Sequence, residues 1–275
     1  MQSKLKVSEF TPQNSEGRLF SIPVYQRLYA WEDKQINDLR MDLKNSPNDL
    51  PYYLGSITTD FNESSGRYDL IDGQQRITTL FLLATELVKY DNRWIDFIKI
   101  NHDLRLLFPS REKDMQFINT VSQGEIKDEE SVNRRLPAAI KLINVFISNI
   151  LTSDDERAAF AKHIYENLKL VHVELPKGTD MNWYFEIMNS RGEQLEKHEI
   201  LKARIINNIP DNLKFSYSRI WNACSQMDLY LEDVTDEKIL NAILTYNGTD
   251  ESLNKIISLF DDNNFEGDKP HTLNE

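Results

Sequence analysis

Residues 68–83, with the sequence YDLIDGQQRITTLFLL, decide the fold of this chain. A short apolar run ends in a polar Asp-Gly turn, and an almost wholly apolar helix follows. The stretch therefore predicts a strand that leads directly into a helix N-terminus. Such a terminus has unpaired main-chain N–H groups and a partial positive charge, so it suits an anion when the turn allows a close approach. Gly73 allows that approach.

Arg76 falls in the first turn of this predicted helix. The helix dipole disfavours a cation there by a few tenths to about 1 kcal/mol, and a bound anion would offset that cost. The alternative interpretation is that Asp72 caps the helix and pairs with Arg76. Both interpretations fit this stretch taken alone, and two other segments bear on the choice.

Those two segments also combine aromatic and polar residues. Residues 22–31, IPVYQRLYAW, place three aromatic side chains beside a glutamine and an arginine. Residues 184–195, YFEIMNSRGEQL, end one predicted helix in Asn-Ser-Arg-Gly, with Gly192 as a turn or C-terminal cap glycine. Each segment has a structural interpretation as well, because aromatics with a polar group often serve the core and such glycines often join two helices.

In order and spacing, the three segments resemble the N-terminal domain of GmrSD-type, modification-dependent restriction enzymes, which have a ParB/sulfiredoxin-like core. The matching elements are Pro-x-Tyr-Gln-Arg-x-Tyr-x-Trp at 23–31, Asp-Gly-Gln-Gln-Arg at 72–76 and Phe-x-x-x-Asn-x-x-Gly-x-x-Leu at 185–195. Each element alone is weak evidence, but the three together extend from residue 20 to about 205. The resemblance implies a domain of a prokaryotic antiviral defence system that binds and hydrolyses a nucleoside triphosphate. It also implies control of a nuclease in response to modified DNA.

The chemistry of phosphate transfer assigns roles within these motifs, because it depends on positioning and on charge stabilisation. Asp72 and Arg76 are the predicted catalytic residues, and Asp72 is also the predicted Mg²⁺ ligand. The predicted stacking residues for a base or a modified nucleotide are Tyr25, Tyr29 and Trp31. The predicted nucleotide-binding residues are Gln26, Arg27, Gly73, Gln74, Gln75, Asn189, Arg191 and Gly192, with Lys202 as a weaker candidate.

Two other classes of function stay open at this point. One is a binding module that uses nucleotide or DNA as a switch without turnover, and the other is a structural domain whose motifs cap helices and fill a core. The sequence contains no Gly-x-x-x-x-Gly-Lys-Ser/Thr, so a P-loop enzyme is excluded.

The predicted fold class is α+β, a small ParB-like sheet followed by a helix-rich subdomain. We expect a nucleotide-binding core at 1–115, a helical subdomain at 116–260 and a linker or tail at 261–275. The predicted elements are a hairpin at 53–61 and 67–71, an amphipathic helix through Ile36, Leu39 and Leu43, a strand near 104–108, helices near 77–90, 113–122, 131–151 and 154–167, a strand at 168–175 and further helices between 180 and 260.

Composition limits the partners. The 275 residues carry a net charge of −12, which argues against simple DNA binding, so any DNA contact must be local. Arg105, Arg111 and Lys113, and the pair Arg134-Arg135, are candidate basic spots, with solvated faces as the alternative.

The sequence also lacks the metal-binding motif that a nuclease would need. The five histidines are widely spaced and do not form a nuclease metal motif, so we expect an HNH-type nuclease module either in a longer protein or as a separate effector. A single cysteine excludes an internal disulfide, and no apolar stretch is long enough to span a bilayer. We therefore predict a cytoplasmic protein that does not bind membranes.

Overall fold

The computed structural model describes residues 5–15, 17–47, 50–109, 111–125, 133 and 135–179, with scattered positions between 201 and 245. The chain forms two compact units, residues 1–218 and 219–275. All the elements described below belong to the first unit. The domain division predicted near residue 115 lies inside that unit and stays a prediction.

Strands and helices alternate irregularly along the first unit, so the predicted α+β class is confirmed. The strands are β1 (Lys6–Phe10), β2 (Phe20–Ser21), β3 (Tyr52–Asn62), β4 (Arg67–Asp72), β5 (Lys99–Ile100), β6 (Asp103–Leu104), β7 (Leu106–Leu107) and β8 (Leu168–Glu174). The helices are α1 (Asp33–Asn45), α2 (Gln74–Leu87), α3 (Trp94–Ile98), α4 (Glu112–Ser122), α5 (Arg135–Asn149) and α6 (Asp154–Asn167). The ParB-like character of the core stays a prediction. Within the described residues, no helix combines the length and apolar character needed to cross a membrane.

The main sheet is mixed, with the strand order β1-β8-β3-β4-β2-β7. The β3–β4 hairpin is confirmed, and its turn is held by the Asn62 side chain, whose oxygen accepts a hydrogen bond from the Ser64 N–H at 3.1 Å. β8 comes from far along the chain and lies between β1 and β3, antiparallel to the first and parallel to the second. The centre of the sheet is therefore built from distant segments.

Helix α2 is the central helix of the unit. Every residue from Gln74 to Leu87 is buried except Arg76, and the helix contacts α3, α4, α5, α6 and β3. A helix that is apolar almost all round is stable only when it is surrounded, which explains why its sequence shows so little amphipathic character. Burying α2 also fixes its N-terminus at the C-terminal end of β4.

Strands β1, β2 and β5 and the short helix α3 were not predicted, and one prediction was too simple. β1 has four exposed residues out of five, so no apolar pattern marks it in the sequence. β2 has only two residues and is defined by its parallel partners β4 and β7. The strand expected near 104–108 consists of two separate dipeptides, β6 and β7, which belong to different sheets.

The buried face of β8 carries a histidine, His172, among its apolar residues. Leu170 and His172 are buried, whereas Val171 is 36% exposed. The imidazole packs edge-on against the rings of Phe20 and Tyr68. Its Nε2 lies 2.7 Å from the Thr59 hydroxyl, so the imidazole has a hydrogen-bond partner within the sheet. Burial lowers the pKa of His172 to about 4.

This burial predicts a specific loss of stability in acid. The unfolded chain takes up a proton at His172 near pH 6.5, whereas the folded protein does so only near pH 4. The stabilising contribution is therefore complete above pH 6.5 and is lost as the pH falls toward 4, by up to about 3 kcal/mol. Urea unfolding at pH 7 and at pH 4.5 measures it.

The control for this experiment is His172→Gln, whose amide can still bond the Thr59 hydroxyl but does not titrate. Asp60 and Asp69 have raised pKa values and act in the opposite sense, but they are present in both proteins and cancel in the comparison. An equal loss of stability in wild type and variant between the two pH values would contradict the prediction.

Candidate functional site

The candidate site begins at the turn between β4 and α2. Gly73 has φ +83° and is the N-cap of α2, and no side chain caps this helix. A Cβ atom at Gly73 would lie 2.7 Å from Cγ2 of Ile57 and 2.8 Å from the carbonyl oxygen of Ser56, so only glycine fits. The interpretation that Asp72 caps the helix is therefore wrong. The first N–H groups of α2 meet no capping side chain.

Arg76 lies against β3 rather than against its own helix. Its Nη1 donates to the carbonyl oxygen of Ser56 at 2.7 Å, while the Asp72 carboxylate is 3.9 Å away. Both side chains are substantially exposed, at 34% for Arg76 and 44% for Asp72, so this ion pair contributes little to stability. Within the described part of the chain, the other guanidinium N–H groups of Arg76 have no hydrogen-bond acceptor.

The segment 23–31 crosses this turn without regular secondary structure, and side chains from elsewhere bind its carbonyl oxygens. The donors are Ser218 to Val24, Arg111 to Gln26 and Arg27, Gln74 to Arg27, Gln75 to Leu28, and Asn133 to Tyr29. The structure thus brings the first two sequence motifs into direct contact. Buried carbonyl groups need such partners, and this segment has no strand neighbour to supply them.

The three glutamines of the motifs therefore have structural partners. Gln75 donates to the Leu28 carbonyl at 3.1 Å and accepts from the Ala30 N–H at 2.8 Å. Gln74 donates to the Arg27 carbonyl at 3.0 Å, and Gln26 donates to the carbonyls of Leu70 and Ile71 at the end of β4. The side-chain nitrogens of these glutamines, which were expected to face a nucleotide, bind inside the protein, so the donors left at this turn are main-chain N–H groups and the guanidinium of Arg76.

The three aromatic residues occupy different environments. Tyr29 is 3% exposed, and its hydroxyl lies 2.7 Å from that of Thr79, so its ring belongs to the core and has no face open for stacking. Trp31 is half-buried and packs against the core. Tyr25 is also half-buried, and burial together with the nearby carboxylates of Asp69 and Asp60 raises the pKa of its phenol. Tyr25 therefore remains protonated.

The charged groups at the site are few. Arg27 is exposed, and no described residue pairs with its side chain. Asp60 on β3 and Asp69 on β4 lie opposite each other in the sheet, and burial raises the pKa of each carboxyl group. Among the residues that the structure describes, no group of three His, Cys, Asp or Glu side chains is arranged to hold a metal ion.

The prediction of a basic spot at Arg105, Arg111 and Lys113 is wrong for both arginines, which are buried and form neither a DNA contact nor a solvated face, whereas Lys113 is exposed. Arg105 is 1% exposed and donates to the carbonyls of Phe97, Arg18 and Asp96. Arg111 is 9% exposed and donates to the segment 23–31. Burial lowers the pKa of each to about 10. Arg135, in the second spot, pairs with Glu32.

The third motif lies outside the described residues, so Asn189, Arg191 and Gly192 stay predictions. Lys202 is described and is only 3% exposed. Sequence reasoning missed Gly55, Ser56, Arg111 and Asn133 as parts of the site. Gly55 alone carried a signal, because a glycine inside a strand rich in aromatic and threonine residues often marks a close approach of another group.

Comparison with known families identifies the class of protein. The family model described as GmrSD restriction endonuclease, N-terminal domain, matches residues 7–206. The chain therefore belongs to this family and is a domain of a restriction system. A comparison with curated proteins finds no match.

The two-way hydrogen bonding of Gln75 predicts that only an amide fits this position. Gln75→Glu keeps the acceptor for Ala30 but loses the donor to Leu28 and buries a charge, so we expect a loss of about 2 kcal/mol or more in unfolding free energy. Urea unfolding at pH 7 measures it. Gln13→Glu, at an exposed loop position, is the matched control and should change stability by less than about 0.5 kcal/mol. Equal effects of the two substitutions would contradict the prediction that Gln75 needs its amide group.

Proposed function

We propose that this domain binds a nucleoside triphosphate at the N-terminus of α2, hydrolyses it with Mg²⁺ and thereby controls a restriction nuclease. The nuclease would be an HNH-type module in the same protein or a separate effector. Family membership supports the restriction context. The geometry of the turn between β4 and α2 supports the choice of a phosphate-containing ligand.

The observation that carries the proposal is the combination of Gly73 and Arg76. An α2 N-terminus without a capping side chain offers main-chain N–H groups and the positive end of the dipole. Arg76 is the one partly exposed residue of an otherwise buried helix, and it keeps N–H donors beside that terminus. Arg27, exposed on the segment 23–31, is a second cation for the phosphates. A cation in the first turn of a helix is favourable when an anion lies between it and the N–H groups.

Asp72 is the residue proposed to hold the metal ion. Mg²⁺ commonly takes one or two carboxylates, with phosphate oxygens and waters completing its coordination, and the half-exposed Asp72 carboxylate fits that mode. The ion would neutralise charge on the phosphates. Asp72 and Arg76 have opposite charges on either side of Gly73, so both face the same ligand in this proposal.

Only two of the three predicted stacking residues remain candidates for contact with a base. Trp31 and Tyr25 are the candidates for contact with a base or with modified DNA, because both are half-buried, whereas Tyr29 belongs to the core. Asn189, Arg191 and Gly192 are proposed to complete the pocket from the third motif. A non-hydrolysing switch that binds nucleotide or modified DNA is the alternative, and the experiment below distinguishes it.

The test is phosphate release from ATP, GTP, CTP and UTP, with and without Mg²⁺ and DNA. We expect turnover of at least one nucleotide in wild type, and at least a tenfold loss in Arg76→Ala with a change in stability within about 1 kcal/mol. Asp72→Asn should bind nucleotide but lose the Mg²⁺-dependent turnover. Because Gly73 rather than Asp72 caps α2, this substitution should leave stability unchanged.

Arg93→Ala is the matched control, since Arg93 is similarly exposed but pairs with Asp91 and Glu166 away from the turn. It should leave turnover unchanged. Binding without turnover in wild type would favour the switch. If Arg76→Ala unfolds the protein while nucleotide affinity is normal in the folded fraction, Arg76 has a structural role and the proposed site is wrong.

A further inference from the structure

Strand β3 passes directly beneath the side chain of Arg76 at Gly55. The pairing of β3 with β8 shifts between Tyr53 and Gly55, and Gly55 has φ +120°, a conformation that L side chains rarely adopt. A Cβ atom at Gly55 would lie 3.2 Å from Nε, 3.4 Å from Cδ and 3.5 Å from Cζ of Arg76. The guanidinium thus rests on the bare backbone of the strand.

Arg76 also covers the next peptide group of β3, which carries the Ser56 carbonyl. The β3–β4 ladder reaches its last pair at Thr58 and Asp72, so Ser56 lies beyond the point where β4 can supply a main-chain donor. The Ser56 carbonyl instead accepts the hydrogen bond from Arg76 Nη1. It also lies so close to Gly73 that a Cβ atom there would be 2.8 Å from its oxygen. Gly55 and Gly73 therefore leave the two spaces that allow Arg76 to take the place of a strand neighbour.

We propose that Gly55 is a positioning residue for Arg76. It provides a flat surface on which the guanidinium is held at one place beside the α2 N-terminus, with one N–H bound to Ser56 and the others left for the ligand. Arginine recognises phosphate through a planar fork of donors, and a small displacement of that fork weakens the interaction. The ligand role of Arg76 rests on the proposed function, whereas the positioning of its side chain does not.

Two alanine substitutions at positive φ separate positioning from backbone strain. Gly55→Ala places a methyl group against Arg76, whereas Gly66→Ala, at φ +66° in the hairpin turn, meets no atom within 4 Å. Both substitutions should lower the melting temperature. Isothermal titration with ATP, GTP, CTP and UTP should show affinity at least tenfold weaker in Gly55→Ala and within twofold of wild type in Gly66→Ala. Unchanged affinity in Gly55→Ala would overturn the proposal.

The same substitution in an Arg76→Ala background tests whether Gly55 acts through Arg76. Interacting residues give non-additive effects, so Gly55→Ala should then weaken the residual affinity less than twofold. A loss as large as in the wild-type background would show that Gly55 acts by another route.

A measurement without nucleotide keeps this proposal separate from the proposed function. Phenylglyoxal modifies accessible arginines, and peptide mass spectrometry gives the rate at Arg76. We expect modification at least threefold faster in Gly55→Ala than in wild type, and no change in Gly66→Ala. Equal rates in all three proteins would overturn the positioning of Arg76. A rate difference without nucleotide binding in wild type would instead refute the proposed function alone.

Arg76→Lys provides a test that does not depend on the folding of Gly55→Ala. Lysine keeps the charge but has no planar guanidinium fork, so an ammonium group bound to Ser56 cannot present two parallel N–H donors to the ligand. Its nucleotide affinity should fall at least fivefold. Full affinity in Arg76→Lys would show that a held fork is unnecessary and would overturn the proposal.

Discussion

The structure depends on the carbonyl groups of an irregular segment. Residues 23–31 run across the N-terminus of the central helix with no strand beside them, so their buried carbonyls need donors from side chains. Gln74, Gln75, Arg111 and Asn133 supply those donors from three different regions of the chain. The segment in turn fixes Tyr29 in the core and leaves Arg27 exposed. Removing one donor leaves a buried carbonyl unsatisfied, which costs more than the lost hydrogen bond itself.

This arrangement divides the motif residues into two groups. The glutamines and Tyr29 assemble the turn, while Arg76, Asp72 and Arg27 keep charged groups that are at least partly exposed and are the side chains proposed to bind a ligand. A motif rich in amides and aromatics resembles a ligand-binding surface in the sequence, because the same side chains serve both purposes. Only their partners in the folded protein separate the two. The arginines show the same ambiguity, since Arg105 and Arg111 donate to main-chain carbonyls and carry no interface.

Local pattern predicted most of the elements, and distant pairing explains what it missed. The β3–β4 hairpin, α2 and β8 follow from turn residues and apolar periodicity within the element. β1 and β2 have no such pattern, since each is a strand only because of its neighbours in the sheet. For the site, the turn at Gly73 and the place of Arg76 in the first turn of α2 were predictable from the sequence. The roles of Gly55 and Ser56 were not, because they depend on β3 and α2 meeting in three dimensions.

The place of β8 in the sheet also sets the order in which this domain can form during synthesis. β8 lies between β1 and β3, although about a hundred residues separate it from β3 along the chain. A nascent chain that has left the ribosome as far as α5 has no strand to fill that gap, so the edge of β3 that pairs with β8 is open. Long-range parallel pairing of this kind is slow and exposes the chain to aggregation. The main sheet therefore cannot be completed until β8 has been synthesised.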